Sequence, residues 1–430
     1  LRYCVMTIQS LPDYALANEP LPPPKKIRSF LRDPEPMVRK FLAKHKDMPS
    51  GFIESIADVD LSPVLTQHTY YPIHFNELRF ENPSASPGIY FRDRGFQTQG
   101  DVLSSPRAMH NMHYTLHLIK RGLPVQFCSR VCVASATENI ETFEHKLRVI
   151  WVQDMTLTAG EKMFAQSIID DIDFDRHILS PSKDHDFVCH KDTVQLDVSS
   201  FDASVPRWLI LVAFALVFRR FNLEHYKGHG NINARYNLEH VMNVIVHNFI
   251  YTRFITDSHP EVRRKCHGVP SGSNFTNIID SICAKLLANY VYRQLLTEHE
   301  VLRLKIHTYG DDTVVRVPAK INFSDVRNAY LSLGFQIKYE PKLSWGCGVI
   351  YKEWCIYGRG FHPGQWYSDI LSCCKDTRYL NQLIYSLIIT YKPTARQVTD
   401  LRGMLAPDHT QVYDTRPKWL EYLTTKGRVM

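Results

Sequence analysis

The tripeptide Gly310-Asp311-Asp312 interrupts two strand-like runs, residues 304–309 and 313–317, and constrains the fold more than any other segment of the chain. Glycine lets the backbone reverse sharply, and the β-branched residues on either side favour pairing of the two arms. The pattern predicts a hairpin with two adjacent carboxylates at its tip. A solvated turn has the same local signature, because a three-residue match is common by chance. The meaning of the pair therefore depends on what else the chain carries.

A second carboxylate site lies upstream. Residues 194–198 read as a strand that delivers Asp197, and Asp202 follows five residues later. Between the two acidic sites, the run His267-Gly268-Val269-Pro270-Ser271-Gly272-Ser273-Asn274 leads straight into a helical stretch. A Gly- and Ser-rich loop at a helix start offers backbone NH groups and hydroxyls to phosphate or ribose oxygens. An ordinary Ser or Asn helix cap is the simpler alternative. Phosphoryl transfer uses hard divalent ions held by one or two carboxylates together with phosphate oxygens. Asp197 and Asp311 are the expected ligands, with Asp312 beside them.

The remaining features bound the answer. With 430 residues, 44% of them hydrophobic, the chain has room for two or three subdomains around a sizeable core. A net charge of +7 is compatible with a polyanionic partner without requiring one. The ten cysteines lack zinc-ligand spacing even at Cys128 and Cys132, at Cys373 and Cys374, and at Cys189 beside His190, so reduced thiols are expected. The apolar run 208–218 is shorter than a bilayer span and is closed by Arg219 and Arg220, which predicts a buried helix and no membrane partner. No signal peptide opens the chain and its first residue is Leu, so the natural start is expected upstream. Asp171, Asp173 and Asp175 imitate a calcium loop, but Arg176 stands where Gly is required and no Glu closes the loop. A helix end with a solvated acidic face is the expectation there.

Residues 19–48 begin Pro-rich and become basic and periodic, predicting an extended arm that leads into an amphipathic helix. Residues 82–107 are rich in Ser, Pro, Gly and Gln and read as a long irregular loop. Helical periodicity runs over 160–172, 206–221, 238–252 and 274–296. Combined with strands at 193–198 and around the Asp pair, this order predicts an α+β fold whose antiparallel sheet is backed by helices.

Asp-x4-Asp at 197–202, Ser-Gly-x3-Thr at 271–276 and Gly-Asp-Asp at 310–312 occur in one order, and in that order the chain resembles the right-handed-palm RNA-dependent RNA polymerases of RNA viruses. The wording of residues 196–208 and 268–281 is similar to the partitivirus group of double-stranded RNA viruses, with picobirnaviruses next. Ser86-Pro87-Gly88, followed by Gly95-Phe96-Gln97-Thr98, resembles that group's template-path loop, although Gln99 stands where Lys is usual. Residues 146–151 resemble the basic fingers motif that grips the incoming triphosphate, which implies roles for Lys146 and Arg148. The similarity spans roughly residues 80–345.

The resemblance implies a palm, fingers and thumb, with an N-terminal arm over 1–49 that bridges fingers and thumb, fingers over 50–192, palm over 193–218, a fingers insertion over 219–265, palm again over 266–351, and primer-grip region and thumb over 352–430. It implies two Mg²⁺ ions, replaceable by Mn²⁺, on Asp197, Asp311 and Asp312, with Asp202, Ser271, Gly272, Thr276, Asn277 and Asp280 contacting the NTP and its ribose. Asp280 stands where many positive-strand enzymes carry Asn. Lys342 is the expected general acid, with Lys338 as the alternative because the local spacing is off by about one residue. RNA template and product, NTPs and a capsid protein are the implied partners, in a virion interior or host cytoplasm. A reverse transcriptase would need a bulky aromatic gate near Asp202, where this chain has Ala203 and Ser204. A catalytically silent, capsid-associated RNA-binding protein would have no use for the intact carboxylate set, nor a metal-dependent nuclease for the Ser-Gly helix start.

Overall fold

The computed structural model describes residues 25–171 apart from Pro63 and Gln67, residues 193–317 and 321–338, the pairs 349–350 and 353–354, and the single positions Ile384 and Asp400. In chain order the strands are β1 (Lys26–Arg28), β2 (Ser129–Asn139), β3 (His145–Val152), β4 (Thr193–Val198), β5 (His225–Tyr226), β6 (Gly230–Asn231), β7 (Arg253–Ile255), β8 (Arg263–Arg264), β9 (Lys305–Tyr309), β10 (Asp312–Arg316), β11 (Ile337–Lys338), β12 (Val349–Ile350) and β13 (Glu353–Trp354). The longer helices are α1 (Pro106–Lys120), α2 (Met155–Asp171), α3 (Arg207–Phe218), α4 (Leu238–Ile250), α5 (Thr276–Leu295) and α6 (Phe323–Ser332). The fold is α+β, as the alternation of patterns predicts.

The β-branched arms around the carboxylate turn do pair. β9 and β10 form an antiparallel hairpin, and β10 pairs on its other side with β4, Thr313 opposite Leu196. β11 completes a four-stranded antiparallel sheet in the order β11-β4-β10-β9. Thr313, Val314 and Val315 are buried one after another, so the central strand is covered on both faces. A second sheet runs β1-β2-β7-β8, with β3 also on β2; there β2 and β7 are parallel and β7 and β8 antiparallel.

Helix α5 packs against β9, β10 and α3. It is buried without interruption from Ile278 to Tyr292, which explains why its sequence carries apolar residues on every side. A cluster of phenylalanines joins four helices: Phe214 meets Phe249 at 4.9 Å and Phe275 at 5.4 Å, while Phe164 meets Phe218 at 5.6 Å and Phe221 at 5.3 Å. The apolar run 208–218 is a buried helix as expected, and among the described residues no helix is long and apolar enough to cross a membrane. The chain divides into two compact units. One comprises Arg32–Ala134 and Arg148–Gly358; the other, in its described part, is the strand-pair tip of residues 25–31 and 135–147.

One expectation needs correction and another needs refining. Residues 82–107 are not an irregular loop: they hold helical turns at Ile89–Arg92 and Gln99–Leu103 and the start of α1. The turn at 99–103 is nucleated by a capping box, in which Thr98 and Asp101 each satisfy the other's backbone NH, and α1 begins on Ser105 as cap with Pro106 in its first turn. The amphipathic helix expected after the extended arm in the basic segment up to residue 48 is present but shorter than its periodicity suggests. The segment gives β1 and then one helical turn, Glu35–Val38, continued by a tighter turn to Leu42, with Val38 and Phe41 buried. Pro34 and Pro36 at the helix start fix where that turn can begin. The segments 1–24 and most of 352–430, including the primer-grip region, lie outside the described residues, as do Asp173 and Asp175; Asp171 ends α2 and pairs with His68 at 2.9 Å.

Truncating the centre of the aromatic cluster tests this core. Phe214→Ala is expected to lower stability by about 3–5 kcal/mol, the range for emptying a buried aromatic site, as read from urea unfolding; a loss below about 1 kcal/mol would mean that the four helices do not depend on that contact.

Candidate active site

The carboxylate turn is anchored from behind. Gly310 adopts φ +61°, a left-handed conformation in which a side chain would be strained. Its NH donates to Ser281 Oγ at 2.7 Å, the Thr308 hydroxyl donates to Ser281 O at 2.8 Å, and the Ser281 hydroxyl donates to Asn277 O at 2.7 Å. One serine of α5 thus fixes both the turn and the helix turn bearing Asn277. Asp311 and Asp197 are exposed, and Asp312 is half-buried at the start of β10. Continuing the β4–β10 register by one residue sets Asp197 across from Asp312, and Lys338 of β11 lies across from Asp197 on the other side.

Beyond Asp197 the chain must leave the sheet within a few residues. Ser200 takes φ +52°, a conformation unusual for a non-glycine residue, and accepts from Lys40 Nζ at 2.8 Å through its hydroxyl. This kink starts the helical turn Phe201–Ser204 and brings Asp202 under the Ser-Gly loop. Ser271 donates to Asp202 Oδ2 at 2.8 Å, while the Asp202 carbonyl accepts from Val269 N at 2.7 Å. Asp280, 3% exposed, stands on the neighbouring turn of α5.

The electrostatics of these carboxylates are linked. Burial raises the Asp202 pKa and the nearby Asp311 adds to the rise, whereas the Ser271 hydrogen bond and Arg148 oppose it. Burial, and then the negative charges of Asp202 and Asp311, push Asp280 well above the usual carboxylate range. Burial and these charges favour the protonated form of Asp280, in which its O–H can donate to the Asp202 carboxylate as an Asn amide would.

Three residues outside the expected set build the loop. Glu161 of α2, 1% exposed, accepts from Ser273 Oγ and Asn274 N, both at 2.8 Å, from Asn274 Nδ2 at 3.1 Å and from Gln153 Nε2 at 3.2 Å. Lys265 is fully buried, and its amine donates to the carbonyls of Phe249, of Ile250 at 3.4 Å, of His267 at 3.2 Å and of Gly268 at 2.6 Å. It closes the C-terminal end of α4 and the start of the loop together, satisfying carbonyls that helix geometry leaves open. Trp151 N donates to Ser271 O at 2.8 Å. A Cβ on Gly272, at φ +127°, would meet Trp151 O at 2.6 Å, so only glycine allows that approach. A charge inside an apolar helical period was the available signal for Glu161; nothing in the sequence around Lys265 marks it.

The residues expected at the site are thus brought together unequally. Asp202, Ser271 and Asp280 meet directly, Asp311 interacts electrostatically with Asp202 and Asp280, and Arg148 with Asp202. The Asn277 amide stands beside Gly310, 3.6 Å from where a Cβ would project. The Thr276 hydroxyl donates to Pro270 O and Ser273 O, at 2.8 and 2.9 Å, and so braces the loop. Lys146 precedes Arg148 on the exposed side of β3 and belongs to the strand-pair tip. Pro87 and Gly88 pack on the start of α2: Met155 N donates to Pro87 O at 3.0 Å, and a Gly88 Cβ would meet Gln153 O at 2.5 Å. Ser86 accepts weakly from Gly88 N at 3.4 Å. Lys342 lies outside the described residues. Among the described residues no three acidic, imidazole or thiol groups close on one point as a ready-made metal cage. A hard divalent ion can instead be held by one or two carboxylates when substrate phosphates complete its shell, and Asp197, Asp311 and Asp312 are donors of that kind.

Two outcomes test this geometry. Glu161→Ala leaves the Ser273 hydroxyl and Asn274 NH buried without an acceptor, at about 1–3 kcal/mol each, so a marked fall in Tm is expected, with faster amide exchange in residues 271–275; unchanged exchange would sink the clamp. Because the Asp280 pKa is raised on folding, wild-type stability declines as pH climbs from the ordinary Asp value of about 3.9 towards the folded value. Asp280→Asn has no such decline, so in metal-free protein its stability relative to wild type should rise between pH 5 and pH 8; a constant difference would mean that Asp280 is already ionised in the fold.

Residues 107–344, more than half of the chain, match the sequence model of the family described as viral RNA-dependent RNA polymerase. Among solved structures, the 3Dpol RNA-dependent RNA polymerase of a sicinivirus is similar in fold, with a TM-score of 0.61 over 86% of this chain and 90% of its own, at 12% sequence identity. No curated protein matches. The matched segment contains the Asp197–Asp202 strand and turn, the Ser271–Thr276 helix start and the Gly310–Asp312 hairpin, and the chain belongs to the viral RNA-dependent RNA polymerase family.

Proposed function

We propose that the carboxylates of β4 and of the β9–β10 turn form the nucleotidyl-transfer centre of this RNA polymerase, with Asp202 and its neighbours reading the sugar. The observation that carries the reading is the contact set of Asp202, which accepts from Ser271 and from the protonated Asp280 while sharing the field of Asp311. A carboxylate held by two donors keeps acceptor capacity for one more, and a ribose 2′-hydroxyl supplies that proton. The four-stranded sheet with α5 and α6 is then the palm, the β1–β2–β7–β8 sheet with β3 the fingers, and residues 352–430 the thumb.

Asp197 and Asp311 would hold two Mg²⁺ ions, with Asp312 supporting them and Mn²⁺ as a substitute. Such ions, when bound, lower the pKa of the attacking 3′-hydroxyl and neutralise charge on the departing pyrophosphate. The chain's own groups position the reactants. Arg148 and Lys146 clamp the triphosphate, Arg through paired hydrogen bonds. Gly272 and Ser271 present the loop to the nucleotide, and Asn277 flanks the turn. Lys342 protonates pyrophosphate, with Lys338 in reserve; Ser86, Pro87 and Gly88 guide the template. The partitivirus-like wording of residues 196–208 and 268–281 supports a double-stranded RNA genome, copied inside a virion with a capsid protein as partner or in the host cytoplasm.

The expected outcomes are specific. Asp311→Asn or Asp197→Asn should reduce NTP incorporation on an RNA template by about 10³-fold or more, given the several kcal/mol that metal-held charge stabilisation supplies, while Asp312→Asn should lose less; incorporation by purified Asp311→Asn at the wild-type rate would overturn the assignment. Asp202→Ala should narrow the preference for NTP over dNTP, measured as the ratio of kcat/KM values. A variant that loses rate yet keeps that ratio would leave Asp202 without its sugar-reading role.

A further inference from the structure

Strands β7 and β8 set Arg253 directly opposite Arg264. Like charges in that position repel, and two other arginines of this sheet are neutralised. Arg263 is held by Glu35 at 2.6 and 2.9 Å, and Arg130 by Asp257. Among the described residues neither Arg253 nor Arg264 has a carboxylate partner; Arg253 donates to the neutral Gln126 side chain. Both arginines line a cavity of about 330 Å³, the lower end of the range for small-molecule sites. No carboxylate lines it.

The rest of the lining is aromatic and polar. The Arg264 guanidinium lies 5.7 Å from the Tyr251 ring centroid and the His247 ring 5.1 Å from it, and the Tyr251 hydroxyl accepts from Arg207 Nη1 at 2.8 Å. Two guanidiniums that have no carboxylate partner among the described residues suit the paired oxygens of a phosphate, and the adjoining tyrosine and imidazole rings are surfaces that a base can meet. We propose that this cavity, between β7, β8 and the end of α4, binds a nucleotide phosphate, contributed by a single-stranded RNA segment or by a free nucleoside triphosphate. None of its residues belongs to the carboxylate centre. Arg264 adjoins Lys265, whose amine holds the start of the Ser-Gly loop, so an occupant here adjoins an element of that centre.

The test measures binding to the full chain in EDTA, which suppresses metal-dependent nucleotide binding at the carboxylates. Two probes are titrated, a fluorescent 5′-hydroxyl oligouridylate hexamer and ATP. Arg253→Gln/Arg264→Gln is expected to weaken at least one of them tenfold or more, with Tm equal to or above that of wild type because a repulsion has been removed. For the hexamer, the slope of log affinity against log salt should fall by about 1.4, the loss of two single-strand phosphate contacts at about 0.7 each. Arg253→Lys/Arg264→Lys should retain part of the affinity. Loss of hexamer binding alone identifies RNA as the source, and loss of ATP binding alone identifies free nucleotide. Equal binding of both probes by wild type and the Gln variant, or no EDTA-resistant binding by wild type, overturns the proposal. Either result leaves the carboxylate assignment standing, since the variant keeps Asp197, Asp202 and Asp311.

Discussion

The pairing of β4 with β10 is the constraint on which the site depends. More than a hundred residues separate Leu196 from Thr313, yet the ladder between their strands is what makes Asp197 and the Asp311–Asp312 turn neighbours. A slip of one residue would send Asp197 to the opposite face of the sheet, because strand side chains alternate. The register is specified by burial: Val314 and Val315 in the centre of the sheet, and Leu196 and Val198 on either side of Asp197, have their apolar side chains inside. The exposed carboxylate is thus located by its buried neighbours.

Several buried ionisable groups surround the Ser-Gly loop, and each meets the cost of leaving water differently. Glu161 fills its acceptor capacity with four donors. Lys265 surrounds its amine with carbonyls from two segments, and burial lowers its pKa well below the ordinary lysine value. Asp280 instead has its protonated form favoured, by burial and by the charges of Asp202 and Asp311. The first two turn a polar liability into a positional constraint, since the loop cannot move without leaving those buried polar groups unsatisfied. The third, in its protonated form, puts a donor beside Asp202, where the proposed sugar-reading role asks for one.

Much of this was legible in the sequence, for identifiable reasons. The hairpin around Gly310 and the strand carrying Asp197 follow from β-branched runs whose period is local, and the buried helices 207–218 and 276–295 follow from apolar density. The short helices at Ile89–Arg92 and Gln99–Leu103 were obscured because Ser, Gly and Gln dominate the composition, although the Thr98–Asp101 pair carried the capping signal. Lys265, and Glu161 beyond the mark of a charge in an apolar helical period, were hidden for a different reason. Their partners are mostly backbone groups and small side chains of segments that are remote in sequence or non-periodic, so no spacing announces them. Asp280 was legible as a position, but the rise in its pKa comes from burial first and then from the charges of Asp202 and Asp311, which only the folded arrangement creates.

The Ser281 hydroxyl joins the carboxylate turn to the helix turn of Asn277, one residue beyond Asp280. In the proposed assignment, sugar reading and bond formation rest on the same piece of framework, with no flexible joint between them. Accuracy and speed are mechanically coupled in such an arrangement. A lineage selected to accept altered sugars by reshaping α5 would carry a change in turnover with it, and adaptation of either property would proceed through substitutions that compensate at the other.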